Sequence, residues 1–121
     1  MSQSVVDLTN ALLLGVIKKS PEAFRIRPAG ETSVVEHVVE HLVAGEVQEE
    51  LRAPTPTLTA VIRRLSVMAN LPSYRQGEAA AGRIHLQVGD ASHYFEIRVE
   101  GHGPELVLYG NTLSAAAYHS R

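Results

Sequence analysis

Residues 83–109 read RIHLQVGDASHYFEIRVEGHGPELVLY. Ile84, Leu86 and Val88 alternate with Arg83, His85 and Gln87; Phe95, Ile97 and Val99 alternate with Tyr94, Glu96 and Arg98; Leu106 and Leu108 alternate with Val107 and Tyr109. A period of two puts every second side chain on the same side of a strand, so each run has one apolar and one wet face. Gly89-Asp90 and Gly101-His102-Gly103-Pro104 separate the runs as turns. The stretch is therefore an antiparallel meander with one buried face, which needs helices to cover it.

Those helices lie upstream. Thr55 is placed to cap a helix whose first turn holds Pro56. Leu58, Val61, Ile62, Leu65, Met68 and Ala69 fall on one face, while Arg63, Arg64 and Ser66 lie off it. Asn70 and Pro72 end this helix, and the polar stretch Ser73–Ala81 reads as a loop. A second helix covers residues 4–19: Ser4 caps it, Val5, Val6, Leu8, Leu12, Leu13, Val16 and Ile17 form its stripe, and Lys18 and Lys19 suit its C-terminal end. Ser20-Pro21 closes it, and Phe24–Arg27 alternate as a short strand before the Pro28–Gly30 turn.

Residues 33–43 give two answers. Val34, Val35, Val38, Val39, Leu42 and Val43 recur at helical spacing, and Ser33 with Glu36 makes a capping box. Periodicity alone predicts a helix, whereas the density of valine favours a strand. As a strand it would show Val and His on one face and Val and Glu on the other, with Ala44-Gly45 turning into a further strand at about 46–52. The expected fold class is α+β, a single antiparallel sheet of five to six strands with helices packed on one face. The expected domain is residues 1–110, with 111–121 a loose C-terminal tail.

Composition narrows the function classes. The chain has 121 residues, 11 Lys+Arg against 13 Asp+Glu and a net charge of -2. That balance gives no electrostatic reason to expect nucleic acid or an anionic membrane. The absence of cysteine excludes disulfides and thiol catalysis and agrees with a cytoplasmic location. No apolar run approaches the length of a membrane span, and no signal-peptide pattern opens the chain.

Catalytic and metal-binding patterns are weak. No GxxxxGK[ST] loop occurs, and the two lysines, Lys18 and Lys19, follow no glycine-rich turn, so no phosphate-transfer site is expected. His37 and His41 would share a face on a helix, a spacing zinc sites use, with His85 as a distant third ligand. On a strand they would stand about 13 Å apart, too far for one ion; the plainer reading is a solvated face, with no metal and no cofactor. Ser92 and Ser120 lie near histidines without a nucleophile-elbow pattern, and Glu96 with Glu100 reads as a wet strand face. No enzyme is expected. The arginines stand out: Arg83 and Arg98 on the polar face of neighbouring strands, and Arg63 and Arg64 on the exposed side of the long helix, are candidates for contacting an anionic partner.

One stretch carries a resemblance. Residues 58–84, LTAVIRRLSVMANLPSYRQGEAAAGRI, are similar to the segment that precedes the P-loop motor in type II secretion and type IV pilus assembly ATPases, matching at Arg64, Val67-Met68-Ala69, Leu71 and Gly82-Arg83-Ile84. Glu96–Val99 and His102–Leu108 resemble the strand pair that follows there, and Ala44–Val47, Phe24–Pro28 and the first helix resemble the elements before it, so the likeness spans about residues 5–109. It implies a PAS-like fold and tips residues 34–43 towards a strand. In the family this domain packs on a neighbouring subunit's motor domain and offers arginines to the nucleotide there. The positions matching one such hairpin are Glu40, Leu42 and Ala44, another polar motif has become Ala23, Arg25 and Arg27, and a loop is shortened to Glu100–Pro104; Arg64, Arg83 and Arg98 remain. The resemblance therefore implies a non-enzymatic interaction module without the motor, whose partner is a protein such as a secretion or pilus ATPase. Self-association through an exposed sheet edge or an apolar helix face stays open, and the alternative is a PAS-like small-molecule sensor.

Overall fold

A computed structural model describes residues 4–30, 35–71 and 79–120. The elements run α1 (Val5–Lys19), β1 (Ala23–Pro28), β2 (Glu36–Val43), β3 (Glu46–Pro54), α2 (Thr55–Met68), β4 (Ala80–Val88), β5 (Ala91–Glu100), a 3₁₀ turn (Gly103–Glu105), β6 (Val107–Leu113) and α3 (Ala115–His119). The six strands form one open antiparallel sheet in the order β3-β2-β1-β6-β5-β4. The α+β class and the single sheet are as the sequence predicts.

Helix α1 starts where Ser4 accepts the Asp7 N–H at 3.0 Å and ends at Ser20, which takes a left-handed conformation. Its inner side buries Leu13 and Val16, while Val5, Val6 and Leu14 stay exposed. Helix α2 begins one residue earlier than expected: Thr55 is already helical and Pro54 occupies the N-cap position without a side-chain cap. Ser66, expected on the wet side, is buried and bonds back to the Ile62 carbonyl. Asn70 ends the helix region at φ 54°.

Between these helices and the sheet lies the core: Leu58, Val61, Ile62 and Leu65 from α2 against Ile26, Phe95, Ile97, Val99 and Leu108 from the strands. Phe24 meets Phe95 edge-on at 6.3 Å between ring centroids. The Phe24 ring needs room over the neighbouring strand, and its register partner there is Gly110. A Cβ on Gly110 would fall 2.5 and 2.8 Å from two carbons of that ring, so only glycine fits.

Three expectations need correction. Residues 36–43 form a strand, not the helix that periodicity predicts, because β2 is buried on both faces and so lacks the alternation of a half-wet strand. The Ser33 end of the capping box and most of the Ser73–Ala81 loop lie outside the described residues, but Ala80 and Ala81 already belong to β4. The chain after Gly110 is no loose tail: β6 continues to Leu113, and α3 follows, capped by Ser114 accepting the Ala117 N–H at 3.1 Å. While α1 and α2 share one face of the sheet, α3 rests on the other, its Tyr118 ring 4.5 Å from Tyr94.

Candidate functional site

That other face of the sheet carries the site. Along each strand the residues between the core positions point to it: Ala23, Arg25 and Arg27 on β1, Glu40 and Leu42 on β2, Tyr109 and Asn111 on β6, Glu96 and Arg98 on β5, Ala81 and Arg83 on β4. The register aligns Glu40, Arg25, Tyr109 and Arg98 in one row across four strands. The four residues of this row line a groove of about 570 Å³ together with Ala23, Leu42, Val47, Ala81, Glu96 and Asn111. The methyls of Ala23 and Ala81 stand among much longer neighbours, and that difference in reach makes the hollow.

Electrostatics fixes one end of the row. Glu40 is nearly buried and accepts from Arg25 Nε at 2.5 Å, Arg27 Nε at 2.7 Å and Arg27 Nη2 at 3.1 Å. These hydrogen bonds, Arg27's first, hold its carboxyl below the usual carboxylate range against the opposing effect of burial. One carboxylate thus serves two guanidiniums. Among the described residues Arg25 donates through Nε alone, which leaves Nη1 and Nη2 uncommitted. At the other end the Arg98 side chain is 61% exposed and, among the described residues, meets only Glu100, at 3.2 Å. Tyr109, 42% exposed, stands between the two arginines, about 5 Å from each strand neighbour. The row therefore offers guanidinium donors on both sides of an aromatic ring, a combination suited to carboxylates, carbonyls and planar groups.

Of the four arginines singled out by sequence, the structure brings Arg83 and Arg98 to this face and leaves Arg63 and Arg64 exposed on α2, on the opposite side of the sheet. Arg83 is engaged within the chain: Nη1 donates to the carbonyls of Ala117 (3.2 Å), Tyr118 (2.8 Å) and Ser120 (2.8 Å) at the C-terminal end of α3. Arg25, Tyr109 and Asn111 were not singled out; the signal available was the Arg-x-Arg of β1, which becomes informative once Glu40 is known to lie beside it.

The histidines are not on a solvated face. His37 and His41 share the helix side of β2, buried to 0% and 3% exposure. His37 is fully bonded: Nε2 donates to the Leu106 carbonyl at 2.8 Å, so Nδ1 accepts from the Thr55 hydroxyl at 3.0 Å. Burial pushes its pKa down. His41 Nδ1 lies 3.2 Å from Glu50 Oε1 without an aligned hydrogen bond, and burial lowers its pKa as well. On a strand the two imidazoles cannot converge on one ion, and among the described residues no group of three metal-binding side chains occurs. His85 Nε2 does reach Ser92 Oγ at 3.1 Å, but the Ser92 hydroxyl donates to Gln87 Oε1 at 2.6 Å. His85 must then donate to the serine, the reverse of what a general base does. No protein-family model matches the chain, and no curated protein is similar to it.

Proposed function

We propose that the chain is a non-enzymatic protein-interaction module that works through the open face of its sheet. The observation behind this reading is the groove lined by the Arg25–Tyr109–Arg98 row, where uncommitted guanidinium hydrogens flank an exposed aromatic ring. Tyrosine and arginine are the residues that most often anchor protein contacts. The resemblance of residues 5–109 supports a partner that is a component of a secretion or pilus assembly machine in the cytoplasm, its ATPase first, with this chain related to the domain that precedes the motor. Capture from the native host with the wild-type chain tests it, expression of the machine being confirmed. Arg98→Glu and Tyr109→Ala should each reduce recovery of that component at least tenfold, whereas Arg63→Glu with Arg64→Glu should not. Recovery of no secretion or pilus component, or equal loss in the α2 variant, counts against the proposal.

A PAS-like small-molecule sensor is the second reading. Its support is the groove's volume of about 570 Å³, which lies within the roughly 300–1,000 Å³ of ligand pockets. Thermal-shift measurement against a metabolite library separates the two: a stabilising compound whose effect disappears in Tyr109→Ala favours the sensor.

A further inference from the structure

The sheet is open, so β3 and β4 are its two edges, and they are built differently. β3 carries Glu46, Glu49 and Glu50 with one arginine, Arg52; the register shifts opposite Val39/Glu40, inserting Glu50 as an extra residue; and Pro54 closes the strand. Charge, bulge and proline are the devices that stop an edge from pairing with another chain. β4 has no bulge, no proline and no carboxylate. Its residues Ala80–Val88 pair with β5 in unbroken register, and its single charge, Arg83, is drawn inward to α3 and to Glu96 at 3.5 Å. Among the described residues nothing pairs with the outer side of β4. An edge strand leaves alternate N–H and C=O groups unpaired, and a second strand is what satisfies them.

The sequence of β4 suits a copy of itself. With Ile84 on a two-fold axis, antiparallel pairing sets Gly82 of one copy opposite Leu86 of the other on the helix side. On the open side it sets Arg83 opposite His85 and Ala81 opposite Gln87. On the helix side apolar meets apolar, on the open side Arg83 meets His85, and no carboxylate faces another. Two β3 edges brought together would instead crowd six glutamates against two arginines. We propose that two copies of this chain associate through antiparallel pairing of their β4 strands about Ile84, continuing six strands into twelve. The interface is isologous, as a closed dimer requires. β4 contributes nine residues, well under the ~20–30 per side of a standard interface, so dissociation in the micromolar range is expected. The inference stands independently of the function proposed for the groove.

Sedimentation equilibrium from about 1 to about 500 μM tests it, a range that brackets the affinity of so small an interface. The wild-type chain should pass from monomer to dimer across that range. Ala81 and Gln87 are both exposed, so the fold tolerates change at either. Ala81→Asp with Gln87→Asp places two pairs of like charges across the axis and should weaken association at least tenfold. Ala81→Asp with Gln87→Lys places opposite charges at the same two pairs and should restore or tighten it. A wild-type chain monomeric throughout overturns the proposal, and so does a dimer whose affinity is the same in both variants.

Discussion

Gly110→Ala is the smallest change with a large expected effect. The added methyl has no free volume: the atoms it meets belong to the Phe24 ring, a rigid group packed edge-on against Phe95 and held by a buried strand. Either the ring turns out of the core or β6 shifts away from β1. Overpacking of this kind costs about 1–3 kcal/mol, and weakening the edge-on aromatic pair adds roughly 0.5–1.5 kcal/mol. A total near 2–3 kcal/mol corresponds, for a domain of this size, to a fall in Tm of roughly 6–15 °C. Thermal unfolding followed by circular dichroism reads it directly. The same substitution made in a Phe24→Leu background should cost at least ~1 kcal/mol less, since leucine leaves the space the ring filled. A Gly110→Ala protein melting within a degree of wild type would refute the steric argument, as would an equal penalty in both backgrounds.

Three further outcomes are expected. Because burial lowers the pKa of His37 and His41 below the ordinary 6.5, the unfolded chain binds protons more readily, and stability should be full above about pH 6.5 and decline as pH falls below it; Glu40, whose pKa is also lowered, adds a further loss below about 4.5. Denaturant titrations from neutral to acidic pH check both, and stability rising on acidification would contradict the burial of the histidines. Glu40→Gln leaves Arg25 and Arg27 without their shared carboxylate, and because both are 39% exposed the loss should be screened to about 1–2 kcal/mol, seen as a lower urea midpoint with unchanged slope. Arg83→Ala removes the donors that hold α3, and a five-residue helix does not persist alone, so hydrogen exchange should lose protection at Tyr118 and Ser120 but not along β5.

Much of the fold could be read from residues because most of its elements are half-buried. α1, β4, β5 and the start of β6 each have a wet side, and the alternation of letters reports it. β2 misled for the opposite reason. Val39 and His37 face α2 while Val38 is enclosed between Arg27 and Arg52, so apolar residues occur in adjacent pairs and imitate a helix. His37 and His41 looked solvated because histidine is polar by letter; what accepts and donates to His37, Thr55 and Leu106, stands 18 and 69 residues away. The end of the chain was missed because Asn111, Thr112 and three alanines carry no pattern, and α3 is held by an arginine some 34 residues earlier. The candidate site shared that difficulty. Arg83 and Arg98 were visible as strand arginines, but the Glu40–Arg25–Tyr109–Arg98 row exists only once four strands are in register.

The order of the strands has a consequence for how the molecule assembles. Each half, α1-β1-β2-β3 and α2-β4-β5-β6, keeps its strands next to their neighbours in the chain, and β1 meets β6 through Phe24–Gly110, Arg25–Tyr109 and Ile26–Leu108. Within a half the loops to be closed are short; across that central junction they span more than 80 residues, which makes it the entropically slowest join to form. On an emerging polypeptide the first half can curl into its meander early, yet Phe24 must wait with its ring uncovered until the last strand arrives to seat it.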